Sequence, residues 1–505
     1  MDHPTHSTDR RGLTLTTSAE AAGHYRQGID HHLALCHGAE SCFEAAIAAD
    51  ERFSLAYAGL ALAHLVEGHA SRARATLVRA RDALAGRELS AATPRERRHF
   101  EVIVTGVSGD IARALQLGCE HLRETPGDVA VVALLVHLAL RGDVQLRRTL
   151  ERLLAELAPG QRDDWAFLSL HATLLEDLGR LEEAFSLALR AIALRPAGAL
   201  GAHVIAHVRY ERGELAQGRR FLSWWLALWT PTPVMLGHLR WHEALFARAQ
   251  GDPDIAITRY HNWIRPLAAS GAPEGLIDGA SLLWRLTLDD ADAPVDWSVL
   301  RREAVGAIGG TGSAFLDVHV ALTLAGVGDL EGLDQMAAAQ QDRKRYGDAL
   351  AGSLVLPVVV GLRAFALGDH HAAASHLESV LGALPALGGA RLQNEVLEDT
   401  VIEAYLRAGR FDAAERRLQA RLIVRPSPRD VALLERALAG KRAALPVQPH
   451  LFEEPMPDTE RCPSQRPEHR RAPTSPRPAS SRGPTSRRGP DSHRGPSSAA
   501  IAARA

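Results

Sequence analysis

The sequence predicts an all-α solenoid of stacked helix-turn-helix units, and three observations carry that prediction. Glycines recur at a nearly constant step: Leu178-Gly179-Arg180 and Arg212-Gly213-Glu214 stand 34 residues apart, and Gln250-Gly251-Asp252 follows 38 further on. After each glycine, small and bulky apolar residues keep fixed offsets, as in Ala184, Ala188, Ala191 and Pro196, or Ala256, Tyr260 and Trp263. Small residues let two helices approach, bulky ones fill the gap behind, and proline closes the unit because it cannot continue a helix. The third observation is compositional. Hydrophobic residues make up 46% of the chain and are mainly Ala and Leu, while aromatics reach only 5%, a balance that favours helix over sheet. A solenoid grows by stacking neighbours, so the 505 residues need no single large core.

Taken in order, residues 1–17 are polar and read as a flexible N-terminus, with the repeats spanning 18–440. The first helix starts near Ser18, an N-cap candidate with Glu20 in the first turn. Its partner carries Ala39, Phe43 and Ala46; one step on come Leu60, Ala61, Gly68, Ala73, Leu77 and Ala80. Thr93-Pro94-Arg95-Glu96 combines an N-cap, proline at the first helical position and Glu at the third, a capping box that opens another unit. That unit turns at Gly109, carries Ala114 and Gly118 and closes at Pro126. Residues 128–159 agree poorly with the side-chain pattern and read as a degenerate pair turning at Gly142-Asp143. Ser270 to Pro294 interrupts the period as an irregular spacer or divergent pair, although Gly279 to Leu286 looks helical. Three more units are marked by Ala321, Leu324 and Gly328; by Gly361, Gly368, Ala373 and Leu377; and by Ile402, Tyr405, Gly409, Ala414, Leu418 and Pro426.

From 441 to 505 Pro, Ser, Arg and Gly take over, with Arg-Gly-Pro recurring at 482, 488 and 494. Such a segment buries too little apolar surface to offset its conformational entropy, and disorder is expected. The net charge of −2 hides an asymmetry, because ten arginines face only Glu468 and Asp491 after residue 460. The basic tail has no aromatics to stack on bases, so at most weak, salt-sensitive nucleic-acid binding is expected of it. Cys36, Cys42, Cys119 and Cys462 lack the spacing of a disulfide framework or zinc knuckle. No run approaches 18 uninterrupted apolar residues, since Leu354 to Val360 is broken by Pro357; no export signal is seen, because Thr14 to Glu20 supplies hydroxyls and a charge after Arg10-Arg11. A cytoplasmic location without membrane contact is the expectation.

The 34-residue step is that of tetratricopeptide repeats, and the chain resembles the tetratricopeptide repeat protein 38 family. The resemblance runs from Asp9 and Gly12-Leu13 through Arg95-Glu96-Arg97 and His99. It is densest at Asp163-Asp164-Trp165 with His171, His203, His207, His238, Trp241 and His242, and resumes at Asp278 with Ser281 to Leu286, at Asp317 and His319, and at Glu398-Asp399. Residues 136–145 lack the aromatic, glycine-rich stretch of the family. The resemblance implies a helical-repeat fold and no established activity.

The chemistry-bearing pattern is histidine on consecutive first helices. His203 and His207 are four apart, as are His238 and His242, so each pair shares a helix face. One reading places His203, His207, Tyr210, His238, Trp241 and Arg248 on the concave groove of an interaction module that takes a protein or peptide partner or a small-molecule ligand, with no cofactor. The other makes the same histidines a transition-metal site of an enzyme or sensor. Neither Val204-Ile205-Ala206 nor Leu239-Arg240-Trp241 supplies the Glu of a metallohydrolase helix. A third reading leaves the histidines as hydrogen-bonded members of the stack. Gly309-Gly310-Thr311-Gly312 is no phosphate loop, as no Gly-Lys-Ser/Thr follows, and Asp164 before Trp165 reads as a helix cap. Deleting 450–505 is expected to leave the melting temperature within about a degree; a larger loss would show that the tail docks.

Overall fold

The computed structural model describes residues 7–84, 92–229, 235–289 and 296–444. Among them the chain forms helical hairpins in series: α1–α2 (Ala19–Leu33, Ala39–Ala49), α3–α4 (Ser54–Val66, Ala70–Leu84), α5–α6 (Pro94–Val107, Ile111–Glu124) and α7–α8 (Val129–Arg141, Val144–Leu157). There follow α9–α10 (Trp165–Asp177, Leu181–Leu194), α11–α12 (Ala199–Glu211, Leu215–Trp229), and α13 (Leu236–Ala249) with α14 and α15 (Pro253–Arg259, Arg265–Ala269). The last are α16–α17 (Pro273–Leu288, Ser298–Val305), α18–α19 (Ala314–Gly326, Leu330–Arg345), α20–α21 (Leu356–Ala366, His370–Glu378), α22–α23 (Arg391–Arg407, Phe411–Val424) and α24 (Pro428–Ala444). This is a tetratricopeptide-like solenoid.

Local chemistry sets the boundaries. Thr93 and Glu96 form the capping box of α5, and Asp164 caps α9 by accepting from the Ala166 and Phe167 amides. The turn glycines Gly179, Gly213 and Gly251 all have positive φ, of 78°, 71° and 85°, a conformation that costs other residues a Cβ clash. Residues 128–159 prove to be a regular hairpin: Asp143 caps α8, while Arg147 closes the end of α7 by donating to the Ala139 and Gly142 carbonyls at 3.2 and 3.0 Å. Its consensus is weak because polar capping replaces the usual small residues. The interruption at 270–294 contains α16, whose Asp278 to Leu286 are all buried; residues 290–294 lie outside the described residues.

In most hairpins, from α3 through α22, the first helix is enclosed nearly all round and the second buries one stripe, whereas α1 and α5 bury a stripe only. Ser54 to His64 of α3 are buried without a break, whereas α4 buries only Ala73, Thr76 and Ala80. A helix apolar on every face belongs in an interior, and here the superhelix closes on its own concave side. Distant inner helices meet: Trp284 Nε1 donates to Thr400 Oγ1 at 2.8 Å, Arg248 Nη1 to Asp399 Oδ2 at 2.9 Å, and the Ala199 amide to the Ala34 carbonyl at 3.3 Å.

The N-terminus corrects an expectation. Residues 7–15 form a small hairpin, Leu15 is fully buried, and Thr16 bonds Glu96 through its amide and hydroxyl at 2.8 and 2.7 Å. Polar composition suggested looseness, but these polar groups are spent on fixed partners. Residues 1–6 and the tail from 445 lie outside the described residues. No helix among the described residues is long and apolar enough to cross a membrane.

Two buried histidines give the fold a pH dependence. Burial holds His32 down to about 4, and at His319 burial outweighs the bond to the Phe315 carbonyl and gives about 4 as well. The unfolded chain takes up these protons near pH 6.5 while the folded chain does not, so their stabilisation is complete above that pH and lost as pH falls toward 4. The loss is on the order of 3 kcal/mol per residue. Melting temperature should therefore drop between pH 7 and 5; a flat profile would contradict neutral burial.

Candidate metal centre

Residues four apart on a helix are neighbours, and positions one repeat apart face each other across adjacent inner helices. Both rules converge on one spot. His203 and His207 of α11 lie 35 residues before His238 and His242 of α13, and the same distance separates facing nitrogens in both pairs: 3.1 Å for His203 Nε2 to His238 Nε2 and for His207 Nε2 to His242 Nε2. His238 and His242 Nε2 are again 3.1 Å apart, and one ring nitrogen from each of the four lies within 4.8 Å of all the others.

The flanking inner helices complete the arrangement. Asp278 of α16 accepts from His238 Nδ1, with both oxygens at 3.0 Å, and Glu176 of α9 accepts from His207 Nδ1 at 3.1 Å. A proton fixed on Nδ1 leaves the Nε2 lone pair of each of these rings turned toward the centre. Burial, reinforced by the charge of neighbouring histidines, holds His203 and His242 well below the ordinary imidazole value, so both are neutral at pH 7. At His207 burial opposes charge too, but the Glu176 carboxylate outweighs it and raises the pKa. His203 Nδ1 is buried without a hydrogen-bond partner. His207 and His242 are enclosed, and the side chain of His238 keeps 16% of its surface exposed.

Tyr210, Trp241 and Arg248, expected beside the histidines in an open groove, are enclosed instead. Trp241 is fully buried and stacks on His238 with ring centroids 5.3 Å apart and planes 14° from parallel. Tyr210 lies under the Arg425 guanidinium, 4.3 Å from its ring centroid. Arg248 is locked by Asp289 at 2.6 and 3.0 Å and by Asp399 at 2.9 Å. The reason is superhelical closure: the chain's own later helices occupy the side where a groove would lie. Sequence reading also missed the carboxylates behind the histidines, although Glu176 and Asp278 sit on the inner helices at near-repeat distances, 31 residues before His207 and 40 after His238.

A second cluster, His99, His121 and Asp128, behaves differently. Asp128 accepts from His99 Nδ1 at 2.8 Å and His121 Nε2 at 2.9 Å, with Arg95 at 3.3 Å. Burial opposes the Asp128 charge, but the two histidines and Arg95 hold its carboxyl well below the usual range. Every group points at one satisfied oxygen pair, and the guanidinium repels a cation, so this cluster is structural. Asp399 likewise serves as a buried counterion within 3.6 Å of Arg248, Arg285, Arg421 and Arg429.

A groove residue would tolerate truncation within about 1 kcal/mol, whereas a fully buried Trp leaves a void. Trp241→Ala is expected to cost about 3–5 kcal/mol in a denaturant melt, and a near-neutral result would reopen the groove placement. No family model matches the chain. Among solved structures it is similar to a human IFIT1 dimer with m7Gppp-AAAA, at 10% identity and a TM-score of 0.34 over 85% of this chain and 95% of that one. It is also similar to Naa15/Naa10 bound to HypK-THB, at 13% identity and a TM-score of 0.25 over 83% of this chain and 67% of that one. For the APC/C hetero-tetramer Cut9-Hcn1 the identity is 13% and the TM-score 0.26, over 83% of this chain and 97% of that one.

Proposed function

We propose that this solenoid is a transition-metal-binding protein whose centre is His203, His207, His238 and His242. The observation that carries the reading is the convergence of four imidazole nitrogens at 3.1 Å spacings. Four points on such edges surround a centre about 1.9 Å away if tetrahedral and about 2.2 Å if square, which brackets the Zn–N distance of roughly 2.0–2.1 Å. All-nitrogen ligation selects zinc and its first-row neighbours over magnesium or calcium, which take oxygen. Glu176 and Asp278 orient two ligand rings and, as two carboxylates, balance a divalent charge. The partly exposed His238 gives the ion a way in.

Membership of the tetratricopeptide repeat protein 38 family is part of this reading, because His203, His207, His238, His242 and Asp278, which build the centre, are among the residues that carry that resemblance. An adaptor role toward a protein or peptide would use the outer helices, since the concave side is filled. A cytoplasmic location goes with three cysteines, Cys36, Cys42 and Cys119, that have no disulfide partner among the described residues.

Purified protein should carry about one equivalent of zinc or a first-row neighbour by elemental analysis. His203→Gln with His238→Gln should abolish it, and Asp278→Asn should weaken affinity about 10–100-fold. If demetallated, folded protein takes up no zinc at micromolar concentration, the histidines are structural and the proposal fails.

A further inference from the structure

A second, independent feature lies where the short helical segment Leu381–Leu387 packs against α22, close to α23. A cavity of about 220 Å³ opens there, walled by Arg391, Arg417, Arg421 and Arg425 against Glu395 and Glu398. Each of the four guanidiniums has a carboxylate partner, but the pairing is not equally tight. The two inner arginines are saturated: Arg421 holds Asp399 at 2.7 Å, Asp430 at 2.8 Å and Glu395 at 3.0 Å, and Arg425 is bound to Glu395. The two rim arginines have looser partners. Arg391 reaches Glu211 at 3.4 Å and Arg417 reaches Glu398 at 3.5 Å, beyond ordinary charge-assisted bonding, and their side chains stay 70% and 30% exposed.

The carboxylates opposite them are also poor counterions. Burial pushes the carboxyls of both Glu211 and Glu398 up, with nearby arginines pulling the other way without cancelling it. Leu381, Leu384 and Pro385 supply an apolar wall. A volume of this size exceeds several waters at about 30 Å³ each, so it admits a whole small molecule.

We infer that this cavity is a binding site for a small organic anion, its phosphate or carboxylate gripped by Arg391 and Arg417 and its apolar part set against Leu381 and Leu384. Guanidinium is suited to the task because its planar fork meets two oxygens of such a group at once. The rim arginines are pre-positioned by their loose partners, while Arg421 and Arg425 behind them are held by carboxylates of their own. Glu211 stands one helical turn beyond His207 on α11, which places the Arg391 side of the cavity next to the helix that carries two of the metal ligands. The inference does not depend on a metal being bound.

The test uses the full chain with three probes at matched ionic strength: inorganic phosphate, phenyl phosphate and succinate. Saturable calorimetric binding with a dissociation constant below about 1 mM is expected, with phenyl phosphate tighter than phosphate if the apolar wall takes part. Preference for succinate over both phosphates would assign the site to carboxylates, and the reverse to phosphate esters; either supports the anion site. Arg391→Gln with Arg417→Gln should weaken binding at least 10-fold while leaving the melt unchanged, since both side chains are partly exposed, and Arg345→Gln, on an exposed and separate surface, should have no effect. No saturable binding of any probe, or binding that survives the double substitution, would overturn the inference.

Discussion

The structure depends on one constraint: in a stack of near-identical hairpins, residues one repeat apart in sequence stand side by side in space. That registration lets Ala and Gly lines close the helices together and lets bulky residues fill the layer behind them. It also means that a polar residue repeated at the same phase must meet its own copy. Histidine at 203 and 207, repeated at 238 and 242, makes a cluster of facing imidazoles without any further device.

The second consequence is closure. Because the superhelix curls until α22 and α24 reach α13 and α16, these inner helices keep little wet surface, and most charges on them are paired inside. Asp399 accordingly sits among four arginines, Glu395 between two, and Arg285, which burial pushes down to about 10 against the pull of Asp399, also donates to the Leu392 carbonyl at 2.9 Å. Burying such ions costs desolvation energy that the pairing offsets only when geometry is good, so the network adds little net stability. It sets register instead. A hairpin shifted by one turn would strand a charge among apolar side chains, at a cost of several kcal/mol.

The two polar clusters show how similar residues reach opposite ends. Around Asp128 two imidazoles turn donors toward one acceptor, and every hydrogen-bonding demand is met. Around the four-histidine centre Asp278 and Glu176 lie behind two of the rings, on Nδ1, and turn the Nε2 lone pairs of His238 and His207 inward. The first arrangement is complete as it stands, while the second is the one for which a cation is proposed. Position of the carboxylate, in front of or behind the ring, decides which.

The helical-repeat class, the turn glycines, the caps at Thr93 and Asp164 and the pairing of histidines on α11 and α13 were all legible in the sequence, because each depends on residues within one or two repeats of each other. The period gave the spacing of neighbours, and helix geometry gave the shared face. What the sequence alone could not decide was the pitch of the superhelix, which sums small rotations over eleven hairpins and is set by packing between residues more than a hundred apart, such as Trp284 with Thr400. Pitch determines whether the concave side is an open groove or a filled interior. It therefore moved Tyr210, Trp241 and Arg248 from a binding stripe into the core, docked Thr16 on Glu96, and brought Arg391 to Glu211 beside a cavity. Local pattern specified the repeats; only long-range packing specified what their inner faces meet.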